Sequence, residues 1–240
     1  LMPSLDKKIG RITSVATAFN AWRPTGGMTL GKLTDAQKTE VSSYLITVTL
    51  YDTDKKTLIG KLVCEGGASV TLPGAAPTAD GGVFCGWRHL NDSRILLGEG
   101  TEYTPTGNIS LMPFYIHFNT VAGASVRTTS GSTGMRFTTT LNIKEYKQLN
   151  YFFTSAGTGS VTQGTFIVPQ SYVQKAGGFD VSKFAKYLDI PARAWYEEDA
   201  TDYTLAGSIA NIYEKNYNLP FVGCGYLKIQ YTDGTEGIVY

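Results

Sequence analysis

Apolar and polar positions alternate with a period of two along much of this chain, in runs that are short. Val48 and Leu50 alternate with Thr47 and Thr49, which predicts a strand with one apolar face starting near Ile46. Strand-like stretches recur at 58–73 (LIGKLVCEGGASVTLP), 81–88 (GGVFCGWR) and 101–115 (TEYTPTGNISLMPFY), separated by Gly-rich turns. Further on, GASVRTT at 123–129 precedes GSTGMRFTTTLN at 131–142, with Gly131 and Gly134 shaping the turn. Asn142 then caps a short helical run over 143–149. In GTFIVPQSYV at 164–173 a buried-type apolar run is stopped by Pro169. Over 179–188, Phe184, Tyr187 and Leu188 share one face at helical spacing, which predicts a second helix capped by Asp180 or Ser182. Strands follow at 193–198, 203–212 and 223–232, and Asp233-Gly234 turns the last of them into 235–240. Asp-Gly between two alternating runs is the strongest short hairpin signal a sequence offers.

Before Ile46 the pattern is weaker. Arg11 to Trp22 alternates in part and predicts a strand, while Thr34, Ala36, Gln37, Lys38 and Glu40 predict a capped short helix over 34–45. The chain thus divides into an N-terminal extension or partial domain at 1–45, a β module at 46–115 and a mainly β domain at 116–240.

Composition narrows the function more than the fold. With 21 basic and 20 acidic residues the net charge is +1, and neither sign gathers into a stripe of the kind nucleic-acid binders carry. Charged residues make up only 17%, while Thr, Ser, Gly and Tyr are abundant, a profile that suits half-buried strands in an extracellular protein. No apolar run approaches the roughly 18–20 residues needed to cross a bilayer. Leu1-Met2-Pro3 opens into polar sequence with no leader pattern, and Val239-Tyr240 closes in strand character, so both ends read as cut from a larger protein. Three cysteines cannot all pair within one chain. Cys64 and Cys85 could meet on neighbouring strands, but buried free thiols are the expectation, with Cys224 a core thiol between Gly223 and Gly225. No CxxC and no Cys/His spacing points to zinc, so neither a metal nor a cofactor is expected.

Two resemblances add context. The order of strand, Gly-rich turn, strand ending at Pro73, the Gly86-Trp87 pair and a closing strand across 46–115 resembles the Listeria–Bacteroides repeat, the B-repeat of internalin-type surface proteins. That resemblance implies a small β-grasp-like module that extends or presents other domains and carries no chemistry, with Trp87 in its core. The motifs at Ala124–Arg127, Gly134–Leu141, Gly164–Pro169, Ile190–Trp195, Tyr203–Ile212 and Gly225–Thr235 resemble a C-terminal module in large secreted proteins of anaerobic gut Firmicutes. It covers nearly all of 122–240, implies location rather than mechanism, and suggests that Trp195 is buried.

Catalysis has no positive signal. His89 and His117 are the only histidines, no serine sits in a G-x-S-x-G elbow, and Gly26-Gly27 and Gly177-Gly178 match no phosphate loop. Glu197, Glu198, Asp199 and Asp202 cluster after Trp195-Tyr196, where a solvated turn is the expectation over a glycosidase pair or a calcium site. Fifteen Tyr, eleven Phe and three Trp leave ample aromatic surface for stacking on a ligand. Trp22, flanked by Asn20 and Arg23, and Tyr196 with Glu197 beside it are the candidate ligand-binding residues.

The sequence therefore predicts a mainly β chain, α+β in detail, with a β-grasp-like module followed by a sandwich-like domain bearing two short helices. Its expected role is a non-catalytic bacterial surface or secreted module that presents, adheres or docks a protein partner. A carbohydrate-binding module of a polysaccharide-handling protein is the alternative, marked by exposed coplanar aromatics. Trp87, Phe137, Phe166, Ile167 and Leu227 are the expected core.

Overall fold

The computed structural model describes residues 45–120, 124–129, 132–197 and 200–240. The strand expected at 11–22, the helix expected over 34–45 up to its last residue, and Trp22 lie outside the described residues. Contacts group the chain into two units, one holding the described residues up to 75 with 86–114, the other holding 76–85 with 115–240.

In the first unit, β1 (Leu45–Tyr51) pairs antiparallel with β2 (Leu58–Glu65), with Val48 opposite Leu62. Alternation decides the faces as expected: Val48 and Leu50 are buried while Thr47 and Thr49 are half-buried. Next come β3 (Val70–Thr71), β4 (Gly82–His89), which belongs to this unit from residue 86, β5 (Leu96–Leu97), β6 (Glu102–Tyr103) and β7 (Ile109–Thr120), which belongs to it up to residue 114. β7 runs parallel to β1, with Leu50 opposite Leu111, and also pairs with β4. Trp87 on β4 is completely buried, and its Nε1 donates to the Pro73 carbonyl at 2.6 Å. An indole that anchors a small core while its one polar atom finds a partner is a packing residue, not a sugar platform.

The second unit is two sheets packed face to face, with helices beside them. β8 (Ser125–Thr129) and β9 (Ser132–Asn142) form a hairpin, and β9 leads straight into α1 (Ile143–Ala156). The Asn142 side chain accepts from the amides of Lys144 and Glu145, so the expected cap is present and the helix runs on to Gly157 in a left-handed C-cap. β10 (Ser160–Pro169) follows, then α2 (Gln170–Ala176), β11 (Leu188–Pro191), β12 (Arg193–Trp195), β13 (Asp202–Ala210), β14 (Phe221–Gln230) and β15 (Glu236–Val239). One sheet runs β12-β13-β9 and continues to β7; the other runs β11-β10-β14-β15.

Three glycines set the approach of these sheets. A Cβ on Gly207 would lie 2.3 Å from the Thr165 side chain, one on Gly223 would lie 2.2 Å from Phe137, and one on Gly225 would lie 2.7 Å from Thr139. Phe137, Phe166, Ile167 and Leu227, all expected in the core, are buried here. The Asp233-Gly234 turn joins β14 to β15 as expected, with Gly234 at φ 87 and the Tyr231 amide donating to the Thr235 carbonyl.

Two expectations are corrected. The stretch 179–188 holds only a three-residue 3₁₀ turn at Val181–Lys183, capped by Asp180, and Leu188 already belongs to β11. Phe184 is buried, but Tyr187 and Leu188 are exposed, because pairing of Leu188–Pro191 with β10 outweighs a helical stripe of three residues. The second helix lies instead directly after Pro169, which ends β10 and opens α2. The chain is mainly β with two α-helices among the described residues.

Cys64, Cys85 and Cys224 are all free, and burial pushes each thiol up, that of Cys224 to about 11. Cys64 and Cys85 are buried; Cys224 is only half-buried, short of the full core position expected for it.

Candidate functional site

The outer face of the β12-β13-β9 sheet brings together two arginines, a serine and an exposed tryptophan. Register defines that face: Arg136 lies opposite Ser208, Thr138 opposite Ala206, Arg193 opposite Ala206, and Trp195 opposite Thr204. Paired residues of neighbouring strands share a face, so Arg136, Ser208, Arg193 and Trp195 point the same way. The intervening residues Phe137, Thr139, Leu141, Tyr203 and Leu205 point inward and are buried. On β8, Ser125 lies opposite Arg136, and so extends the outer face.

Arg136 Nε donates to Ser208 Oγ at 3.2 Å, which orients the guanidinium across the sheet. The Arg193 guanidinium sits 6.0 Å from the centroid of the Trp195 ring, within reach of the attraction between a cation and an aromatic face. Arg136, Arg193, Trp195, Ala206 and Ser208 line an open hollow of about 300 Å³. A second shallow hollow of about 320 Å³ shares Arg136 and Ser208 with it and continues toward β8. Among the described residues, neither Arg136 nor Arg193 makes a salt bridge.

Trp195 is 39% exposed, which corrects the expectation that it is buried. Its neighbour Tyr196 is 50% exposed but leans the other way, with its ring 6.0 Å from that of Tyr203 on the inward side and 5.0 Å from Lys147 Nζ. The two aromatics therefore do not form a shared flat platform. Glu197 is exposed, and its carbonyl accepts a hydrogen bond from the Ala200 amide. Glu198 and Asp199 lie outside the described residues.

A second cluster, invisible to motif reading, forms around His117 on β7. Its Nδ1 lies 2.8 Å from Glu145 Oε1, and its backbone amide donates to Glu145 Oε2 at 2.8 Å. Its Nε2 is 3.2 Å from Asp80 Oδ1, an ion-pair contact without an aligned hydrogen bond. The Asp80 carboxylate first, and Glu145 next, raise His117 above the ordinary imidazole range. Asp80 is held down to about 2, chiefly by the Thr78 hydroxyl that donates to it and then by His117. Gly82 makes the room: a Cβ there would meet Thr78 Oγ1 at 2.5 Å and His117 Nε2 at 3.0 Å. With carboxylates at both ring nitrogens, the imidazole is placed to hold a proton and clip 76–85 to α1. Among the described residues no hydroxyl or thiol hydrogen-bonds to His117, and none of its clusters of His, Cys, Asp and Glu has a metal-holding arrangement.

Comparison of the chain with protein-family models, with curated proteins and with solved structures gives no match.

Proposed function

We propose that this chain is a non-catalytic binding module of a bacterial surface or secreted protein, and that its ligand is a glycan held on the outer face of the β12-β13-β9 sheet. The observation that carries the reading is the exposed Trp195 packed beside Arg193 at the rim of an open hollow. A side-on indole offers a sugar ring an apolar stacking surface, and the flanking guanidinium and hydroxyls offer directional hydrogen bonds. The hollow is shallow and has no converging acid–base pair, which suits capture of a polymer more than turnover. The backbone of the central strand β13 is paired on both sides, so recognition over the hollow falls to side chains.

The B-repeat-like pattern of 46–115 supports a place on a surface, where a spacer would hold such a face away from its anchor. Docking of a protein is the second reading. It is favoured by β8, whose five residues are all exposed and which, among the described residues, pairs only with β9. An exposed edge of this kind accepts a strand from a partner.

Binding of the purified chain to a broad panel of plant, microbial and host glycans tests the first reading. A hit that Trp195→Ala weakens at least tenfold, with the thermal transition unchanged, is the expected result. A panel without any hit sensitive to Trp195 overturns it and leaves β8 as the face to test.

A further inference from the structure

Resting on that reading, we infer that the glycan is acidic: the outer face is built to hold carboxylates of a polyuronate chain, with Arg136 and Arg193 as the two cationic contacts. The first support is charge. β8, β9, β12 and β13 place Arg127, Arg136 and Arg193 at outward register positions against one carboxylate, Asp202, at the far end of β13 opposite Asn142. Among the outward register positions of these four strands this is an excess of one sign, with Glu197 exposed two residues beyond Trp195. Neither Arg136 nor Arg193 has a carboxylate partner among the described residues, so each retains its capacity for a charge-assisted pair.

The second support is spacing. β9 and β12 flank β13, and Arg136 and Arg193 are offset by two residues along it, so the two guanidinium stems rise about 12 Å apart. That separation suits charges that repeat along a polymer rather than one small anion. Ser208 fixes Arg136 and the Trp195 ring backs Arg193, so both forks are oriented before a ligand arrives. Guanidinium matches a planar carboxylate edge to edge with two parallel hydrogen bonds, which a point charge cannot do.

Other polyanions fit less well. Nucleic acid presents a phosphate charge about every 1.7 Å of duplex axis and is bound by many cations at once, more than this face supplies. An acidic peptide would add to the open edge of β8 or β12, and so would leave the side chains above β13, which is paired on both sides, out of its main contacts. The hydroxyls of Thr138, Thr204 and Ser208 at register positions of the same face match a polyhydroxylated ligand.

Affinity electrophoresis and calorimetry at low salt, with polygalacturonate, its fully methyl-esterified form and polyglutamate as probes, separate these possibilities. The inference expects binding to polygalacturonate that methyl-esterification weakens at least tenfold, that salt weakens, and that polyglutamate does not reproduce. Arg136→Gln and Arg193→Gln each lower affinity for polygalacturonate about tenfold while leaving the melting transition in place. Trp195→Ala lowers binding to both the acidic and the esterified polymer. Equal binding of both polymers, unaffected by the arginine variants but lost in Trp195→Ala, overturns the acidic preference and leaves the glycan reading standing. Equal binding of polyglutamate overturns it as well, since charge alone would then suffice. Absence of any binding to either polymer, with no Trp195-dependent hit elsewhere among glycans, overturns both.

Discussion

His117 shows what a single residue can do that its neighbours in sequence do not announce. Its partners Asp80 and Glu145 come from separate stretches of chain, and only the fold brings them together. Because the folded state raises the pKa of His117, the imidazolium is favoured by folding. The stability it contributes is fully present below the unfolded value near 6.5 and is lost as pH rises through the raised folded value. Asp80 has the opposite sign: its folded value of about 2 lies below the usual 3.8, so its contribution is present above 3.8 and fades as pH falls toward 2. The melting temperature is therefore expected to fall as pH is raised from about 6 to 8. His117→Gln should flatten that profile, while His89→Gln should keep it. A wild-type profile as flat as that of His117→Gln would show that the clip contributes nothing. The same cluster marks the limit of motif reading: His117 was visible only as a histidine in a strand, and no spacing rule reaches from there to residue 80.

At the scale of elements, the legible features were those in which local chemistry and tertiary need agree. The alternation in β1, the Asn142 cap and the Asp233-Gly234 turn each specify a structure that the surrounding packing also requires. The stretch 179–188 failed because its helical stripe competed with a strand partner that cannot be seen from the residues themselves. Pro191 also biases Ile190 toward extended backbone, a signal weaker than the stripe until β10 is in place. Trp195 departs from what the resemblance implied: alternation in a strand of three residues says that neighbours face opposite ways, but not which of them faces the core.

The contact between the two sheets offers a sharper test. The Gly225 amide donates to Thr139 Oγ1 at 2.9 Å within the core, whereas Thr165 Oγ1, also buried, has no hydrogen-bond partner among the described residues. Thr139→Val would strand a buried amide and is expected to cost about 1–3 kcal/mol in urea unfolding. Thr165→Val removes a hydroxyl that has no partner to lose, so it is expected to be neutral or stabilising. Equal destabilisation by both would mean that the inter-sheet hydrogen bond does not distinguish the two sites.

Across the whole molecule, chain order and packing order part company. Residues 76–85 precede part of the first unit in sequence yet pack with 115–240. Within that second unit the Tyr231 hydroxyl, buried under the sheet, donates to the Cys85 carbonyl at 2.7 Å, and Asp80 faces His117. A fragment cut between residues 115 and 116, where the alternation pattern divides the chain, would keep Tyr231 and His117 but lose both partners. Losing that hydrogen bond costs about 1 kcal/mol, and the contacts that 76–85 makes with 115–240 would be lost as well. Such losses are a large share of the stability of a domain this size. The fragment 116–240 is therefore expected to melt several degrees below the corresponding transition of the full chain, or without a cooperative transition, and a peptide spanning 76–90 should raise its melting temperature. Circular dichroism through the melt reads both effects. A fragment that unfolds cooperatively at the temperature of the full chain, with no response to the peptide, would mean that 76–85 is bystander rather than part of the second unit's fold.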